Sequence, residues 1–308
     1  MSKPADLLSG KKRLMPWKLF TRAFADIQQN DPLRMAGATA FFTTFALPPI
    51  LIILFQLFGL FIGKRLVGRE MREIITETFG EDGATQLVQT IRGINNLASN
   101  WYITLGGFLF LIFIATTLFS VIKSSFNQIW NIGVKEKPGF LFNLKLRARS
   151  FAIILTAGIL FVAGIVMDSF ELLAGNYIRG IWSNMGVYFE SIVNEIVGLV
   201  IVTAWFIVLF RYLADGRPSW KVTIAGGCVT GVLFTVGKEI LALLLRNSNI
   251  NNIYGASGNI VLILLFVFYS SFILYYGACF IKVYADHLGE SFRLINKAYR
   301  YKLQELNQ

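Results

Sequence analysis

The sequence predicts an all-α fold, a polytopic membrane bundle of six transmembrane helices, from two observations. Of its 308 residues, 55% are hydrophobic and only 15% are charged, whereas a soluble domain usually carries about a quarter charged residues. Long apolar runs also recur evenly along the chain, without the alternation of polar residues that marks strands. Together these features exclude disorder, a collagen-like fibre and an ordinary cytosolic enzyme.

Six apolar windows are long enough to cross a bilayer, because roughly 20 helical residues span a hydrocarbon core of about 30 Å. The windows lie near residues 36–62, 101–122, 151–171, 192–213, 222–245 and 259–283. They predict a single integral membrane domain over residues 1–308, with basic tails at 1–35 and 284–308. The fifth window is rich in small residues at spacings that favour close helix packing, among them Gly227, Gly231 and Gly237.

The distribution of basic residues predicts the orientation of this bundle. The net charge is +11, from 29 Lys and Arg against 18 Asp and Glu. With the N-terminus in the cytoplasm, 21 basic residues lie on the cytoplasmic side, seven lie outside, and Lys238 lies within the fifth window. Both termini are therefore predicted to be cytoplasmic. We interpret the basic excess as attraction to anionic lipid headgroups and not to nucleic acid.

Two segments outside the windows carry an amphipathic pattern. Residues 63–100, between the first and second windows, predict one or two amphipathic helices on the outer face, broken near Gly80–Gly83. Residues 14–29 predict an interfacial helix on the cytoplasmic side. For both segments, the alternative is a surface helix that packs on the bundle.

Five ionisable side chains inside the apolar windows are placed by the predicted topology at a similar depth in the outer half of the membrane. They are Asp168, Glu171, Glu195, Lys238 and Glu239. Because a charge at the bilayer centre is costly, we hypothesise that they line a polar cavity open to the outside. Lys238 would pair there with Asp168, Glu195 or Glu239. The alternative for Asp168, Glu171 and Glu195 is a place at the interface, near a helix end.

Two further features bear on a passage through the bundle. Pro48 and Pro49, near the centre of the first window, predict a kink or a break because proline lacks a backbone donor. Such a break could line a substrate passage or serve packing alone. Tyr269 and Tyr276 belong to a polar stripe in the last window that predicts an inward face, although tyrosine also anchors helices at the interface.

The sequence carries none of the residue patterns of common catalytic sites. His287 is the only histidine, and Cys228 and Cys279 both lie in apolar windows, so neither a disulfide framework nor a metal site is expected. Walker, HExxH and GxSxG patterns do not occur. We therefore expect a protein that is not an enzyme and that needs no cofactor.

Several blocks of sequence carry a resemblance to a known family. They include Ala36-Gly37-Ala38-Thr39-Ala40-Phe41-Phe42, Phe126-Asn127-Gln128-Ile129-Trp130, Arg211-Tyr212-Leu213, Gly237-Lys238 and Tyr254-Gly255-Ala256. From about Asp31 to Asp286 the chain resembles the YihY/virulence factor BrkB family of bacterial inner-membrane proteins, formerly labelled ribonuclease BN-like. The resemblance implies six helices in the inner membrane with both termini cytoplasmic. It marks Asn127, Trp130, Tyr254 and Gly255 as family-motif residues.

The resemblance implies no settled activity, so three functions remain open. The first hypothesis is a transporter or flippase-like protein that handles a lipid or other amphiphile through a polar intramembrane cavity. The second is a non-catalytic membrane scaffold for envelope assembly or resistance. The third is the legacy ribonuclease label, which no carboxylate–histidine cluster supports. The expected partners are membrane lipids, whose anionic headgroups suit the basic loops, and a homo-oligomer or an envelope partner is compatible with the sequence.

Overall fold

The computed structural model describes residues 16–58, 101–134, 185–246, 258–295 and 298–301. Between these stretches the structure describes only isolated residues or pairs of residues, all of them helical. They are residues 68–69, 72–73, 76, 81, 84–85, 88–89, 152–153, 155–156, 159–160 and 163–164. The described part of the chain is mostly helical, as the composition predicts.

Helices and short strands follow one another along this part of the chain. They are α1 (Pro16–Gln28), α2 (Pro32–Phe58), α3 (Trp101–Ile129), β1 (Ile132–Val134), α4 (Met185–Tyr212), β2 (Gly216–Arg217), α5 (Trp220–Arg246), α6 (Gly258–Leu288), β3 (Arg293–Leu294) and β4 (Ala298–Arg300). Local sequence explains two of the helix ends. The Ser219 hydroxyl accepts a hydrogen bond from the Val222 N–H at 3.4 Å and caps the start of α5. Gly289, with a φ of 68°, follows the last residue of α6.

The helix α6 is the central element of the described part. It packs against α1, α2 and α5, while α2 packs against α3 and α4 packs against α5. Its buried side chains include Tyr275 and Ile281. The outer sides of α2, α3 and α5 instead expose large apolar side chains such as Phe45, Phe110 and Ile240. Apolar groups on both the inner and the outer sides are typical of helices that lie in lipid.

Three described stretches are both long and apolar enough to cross a membrane, judged by length and composition. They are Glu195–Tyr212 in α4, Trp220–Leu241 in α5 and Val261–Leu288 in α6, and they match the last three predicted windows. The first two windows fall on the helices α2 and α3. The third window lies mostly outside the described residues. The helical fold is thus confirmed, with three candidate membrane spans among the described residues, and the count of six spans stays a prediction.

The helix α2 continues through Pro48 and Pro49 to Phe58. The predicted break is therefore not found, and a kink at this place stays a prediction. Two prolines remove only two backbone donors, and contacts with α3 and α6 along α2 support the remaining helix.

The segment 63–100 is described only at scattered helical residues. Ala84 is buried in a small apolar cluster with Ala40, Ile263 and Val267. Arg72 and Glu81 form an exposed ion pair of 2.7 Å. Around Ala84 the segment therefore packs on the bundle, while amphipathic helices on the outer face stay a prediction.

Two antiparallel ribbons join parts of the chain that lie beyond the helix ends. β1 pairs with β4, and β2 pairs with β3 so that Arg217 lies opposite Arg293. The two ribbons touch, since a Cβ added to Gly216 would overlap the Ile132 side chain. Both predicted tails are thus partly folded onto the bundle, through α1, the last turn of α6 and the strands β3 and β4. We call the end of the bundle that carries both ribbons the ribbon end.

Candidate functional site

The helices α4 and α5 run antiparallel along a seam of small residues. On α5, Gly227 abuts Ile207 of α4 and Gly231 abuts Thr203, and a Cβ at either glycine would overlap these side chains. Close approach of the two backbones is what the small residues of the fifth window predict. Seven residues after Gly231 on α5 is Lys238, and seven residues before Thr203 on α4 is Ile196. The same register therefore brings Lys238 opposite Ile196, which is the sequence neighbour of Glu195.

Glu195, Lys238 and Glu239 thus lie at one level of the α4–α5 pair, which we call the polar level. Lys238 Nζ lies 3.7 Å from Glu239 Oε1, and the two side chains are 40% and 61% exposed. Glu195 is also exposed. Of the partners predicted for Lys238, the structure shows Glu239. The pair is loose because neighbours in sequence point to different sides of a helix.

The polar level lies at the far end of the apolar stretches from the ribbons. Glu195 opens the apolar stretch of α4, and Lys238 lies three residues before that of α5 ends. At 1.5 Å per residue, Lys238 is about 27 Å along α5 from Trp220. This depth favours the interfacial alternative for Glu195. In the described part of the chain, these side chains are exposed and not enclosed.

Tyr269 of α6 packs on α5 next to the polar level. Its hydroxyl donates to the Leu233 carbonyl oxygen at 3.3 Å. Its ring occupies the space that a side chain at Gly237 would need. Tyr269 therefore fixes the turn of α5 that carries Lys238, which is a positioning role.

Tyr276 lies apart from the polar level. Its hydroxyl donates to the Phe20 carbonyl oxygen of α1 at 3.2 Å. The hydroxyl of its buried neighbour Tyr275 forms a 2.5 Å hydrogen bond with Thr39 of α2. The polar stripe predicted on α6 thus faces other helices, but its members bind separate neighbours and do not share one surface.

Several predicted residues are not placed by the structure. Asp168, Glu171, Tyr254 and Gly255 lie outside the described residues, and of Pro48 and Pro49 only the helical backbone is described. The single polar cavity therefore stays a hypothesis. Where the chain is described, no group of three His, Cys, Asp or Glu side chains is placed to hold a metal.

A buried polar network at the ribbon end was not predicted from the sequence. Lys123 Nζ lies 2.9 Å from Asp215 Oδ2, and the two side chains are 9% and 3% exposed. Asn127 donates its Nδ2–H to the same carboxylate oxygen at 2.9 Å, and its Oδ1 accepts the Asp215 N–H at 3.0 Å. The Asp215 carbonyl oxygen accepts the Ile295 N–H at 2.8 Å. One acidic residue thus connects α3, the α4–α5 loop and the C-terminal segment.

Trp130 extends this network into the core. Its Nε1–H donates to the Ala278 carbonyl oxygen at 2.9 Å. Its ring stacks on Phe126 at a centroid distance of 5.5 Å and meets the edge of Phe292 at 5.0 Å. The motif residues Asn127 and Trp130 therefore hold the ribbon end together.

A second ion pair, at the same end, attaches α1 to α6. Asp26 Oδ1 lies 2.7 Å from Lys282 Nζ, and the side chains are 18% and 14% exposed. The rings of Phe20 and Phe280 lie 5.2 Å apart beside it. This end of the bundle is therefore organised by buried, paired charges, in contrast to the exposed charges of the polar level.

One sequence signal could have found the buried network. The second predicted window ends at residue 122 and so leaves Lys123 outside it, whereas α3 continues to Ile129. Lys123 and Asn127 are four residues apart and so share one helix face. Their partner Asp215 is 88 residues beyond Asn127, and no local pattern joins residues over such a distance.

Comparison with known proteins decides the family. The model of the family described as Virulence factor BrkB matches residues 23–301. The chain belongs to this family. The resemblance inferred from the motif blocks is therefore confirmed, and the BrkB match includes the C-terminal part of α1, the helices α2 to α6 and both ribbons.

Relatives of the chain carry the name UPF0761 membrane protein. One from Teredinibacter turnerae is 26% identical, over 86% of this chain and 59% of its own length. One from Saccharophagus degradans is 23% identical, over 87% of this chain and 60% of its own length. One from Aggregatibacter aphrophilus is 26% identical, over 92% of this chain and 97% of its own length. The chain thus spans about three-fifths of the first two. No solved structure matches the chain.

Proposed function

We propose that this BrkB-family chain is a non-enzymatic protein of the bacterial inner membrane that moves a lipid or other amphiphile across the bilayer. The observation that carries the proposal is the polar level. Glu195, Lys238 and Glu239 place three exposed charges at one depth of two largely apolar helices. Ionisable residues that lie within membrane helices commonly mark a substrate path, and at the end of the apolar stretches these three lie at the level of a lipid headgroup.

The apolar surface beside the polar level suits the other half of an amphiphile. Val232, Val236 and Ile240 follow at four-residue spacing on α5, and each is about half exposed. Such spacing forms one stripe along a helix. Glu239 borders this stripe, whereas Lys238 lies roughly 120–160° around α5 from its members. A lipid whose acyl chains lie on the stripe therefore meets the polar level first at Glu239.

The remaining parts of the proposal concern topology and energy. Both termini are cytoplasmic in the proposal, because the basic residues then lie beside anionic lipid. The sequence carries no Walker loop, so movement is passive, ion-coupled or driven by a partner. Lys238 is assigned the contact with the headgroup, and Tyr269 the position of the turn that carries it.

The test is movement of a fluorescent phosphatidylglycerol across liposomes that contain the purified chain. We expect Lys238→Ala to slow movement by about tenfold or more, because a charge-assisted hydrogen bond contributes about 1.5–3 kcal/mol. Lys221→Ala is the matched control, since it removes an exposed lysine from the other end of α5. Equal rates in both variants would remove Lys238 from the mechanism, and no movement above empty liposomes would contradict transport.

The scaffold alternative makes a different prediction for the segment 63–100. Deletion of residues 66–98 should abolish association with envelope proteins if the chain is a scaffold. A transporter should still bind lipid after the deletion. Because Ala84 packs on the bundle, the deleted protein must first be shown to be folded.

A further inference from the structure

The ribbon formed by β2 and β3 places two arginines directly opposite each other. Arg217 and Arg293 are cross-strand partners, and such partners project from the same face of an antiparallel pair. Gly216 and Leu294, the other cross-strand partners of this ribbon, face inward, since Gly216 abuts Ile132 and Leu294 packs against the apolar core. Like charges in directly opposite positions destabilise a ribbon. An anion between the two side chains would remove that repulsion.

A third arginine and two aromatic rings adjoin this pair. The guanidinium of Arg211 lies 4.9 Å from the ring centre of Trp220, and that of Arg217 lies 5.8 Å from the ring centre of Tyr212. The two rings are themselves 6.5 Å apart. We call Arg211, Arg217 and Arg293 the arginine cluster. Stacking on rings restricts the guanidinium groups and leaves less freedom to lose when they bind a ligand.

The nearby carboxylates have other partners. Asp215 forms the buried ion pair with Lys123, and Glu290 accepts a hydrogen bond from the Ser219 hydroxyl. Within the described residues, no carboxylate lies within 4.0 Å of an arginine of the cluster. The Nε–H of Arg217 is buried and has no acceptor in that part of the chain. The cluster therefore carries a local excess of positive charge.

The aromatic rings place the cluster at the edge of the membrane. Tyr212 ends the apolar stretch of α4, and Trp220 begins that of α5. Tyrosine and tryptophan at such positions lie at the level of the lipid headgroups. Phospholipid phosphates lie at that level, and guanidinium groups bind phosphate oxygens through paired hydrogen bonds.

We propose that the arginine cluster binds the phosphate of an anionic phospholipid at the membrane interface of the ribbon end. The phosphate lies between Arg217 and Arg293 and offsets their repulsion, while Arg211 and the two rings border the headgroup. This site is separate from the polar level, so its test can succeed or fail whatever the outcome of the transport assay.

The test compares thermal unfolding of the full chain in zwitterionic detergent, with added phosphatidylglycerol or phosphatidylcholine. The variant is R217Q/R293Q. The control is K18Q/R22Q, which removes two exposed charges from α1 at the same end of the bundle. We expect phosphatidylglycerol to raise the unfolding temperature of the wild type and of the control by the same amount. In R217Q/R293Q, about tenfold more phosphatidylglycerol or higher should be needed for the same rise. Phosphatidylcholine should have no such effect.

Further variants, and a comparison with inorganic phosphate, test whether the arginine cluster itself binds the lipid. Without anionic lipid, R293Q alone should be at least as stable as the wild type, because the repulsion is gone. If R217Q/R293Q does not fold, R217K/R293K replaces it, since lysine keeps the charge but lacks the planar set of donors of arginine. R217K/R293K should need several-fold more phosphatidylglycerol than the wild type for the same stabilisation. Equal responses of variant and control, or a less stable R293Q, would overturn the proposal. Inorganic phosphate that acts as well as the lipid would assign the site to a soluble anion instead.

Discussion

Lys123 Nζ and Asp215 Oδ2 lie 2.9 Å apart in the interior of the ribbon end, where neither side chain is more than a tenth exposed. The pair connects α3 to the loop between α4 and α5, and Asn127 binds the same carboxylate. Burial of two charges is repaid only when their partners satisfy them. We therefore expect this ion pair to be needed to hold α4 and α5 in position. Because the polar level lies on these two helices, its position depends on the pair as well.

Asp215→Ala should strongly destabilise the protein, because it leaves the Lys123 ammonium buried without this carboxylate. We expect a loss of about 3–5 kcal/mol in the free energy of unfolding, measured by denaturant titration in detergent. Glu81→Ala is the control. It breaks the Arg72–Glu81 pair, whose side chains are 60% and 64% exposed, and should cost about 1 kcal/mol or less. Similar losses in both variants would contradict the importance of the buried pair.

Asp26→Ala should loosen α1 from α6. The substitution removes the 2.7 Å contact with Lys282, and a charge-assisted hydrogen bond contributes about 1.5–3 kcal/mol. Trypsin should therefore cleave after Arg22 about tenfold faster or more, as measured by mass spectrometry of the fragments. Asp31→Asn serves as control, because Asp31 is exposed in its pair with Arg34 and asparagine tolerates the positive φ of 51° at this position. Unchanged cleavage in Asp26→Ala would show that the ion pair with Lys282 does not hold α1 in place.

Gly237→Ala should displace Tyr269, since the added methyl group would overlap its hydroxyl. We expect a loss of about 1–3 kcal/mol from overpacking. Adding Tyr269→Ala opens the space again, so the double variant should lose less than the sum of the two single variants. A coupling energy of about 0.5–3 kcal/mol in this double-mutant cycle is the expected result. Additive losses would mean that the two residues do not pack together.

The sequence predicts the apolar helices well and the connections between them poorly. α4, α5 and α6 follow from runs of apolar residues, which need no knowledge of distant neighbours. The ribbons have no such signal, because β2 and β3 are two residues long and their pairing joins Arg217 to Arg293 across two whole helices, α5 and α6. Lys123 lies outside the second predicted window because its charge ends the apolar run. Only the fold brings Asp215 close enough to neutralise it.

The register of α4 and α5 predicts a cross-link at the polar level. In a C228A/C279A background, cysteines placed at Glu195 and Lys238 should be joined by a short bifunctional maleimide. Cysteines at Glu195 and Lys221 should not, because Lys221 lies at the opposite end of α5, about 25 Å from Lys238. Gel mobility of the linked chain is the measurement. A cross-link in the second pair and not in the first would show that the register is wrong.

The most direct test of the central claim is a map of the full chain in lipid nanodiscs at side-chain resolution. The account predicts a lipid headgroup at the polar level, with a phosphate or other anionic oxygen within roughly 3 Å of Lys238 Nζ. The acyl chains should lie along the stripe of Val232, Val236 and Ile240. A map in which Lys238 only reaches outward to bulk headgroups, around a closed bundle with no lipid at Glu195 and Glu239, would contradict it.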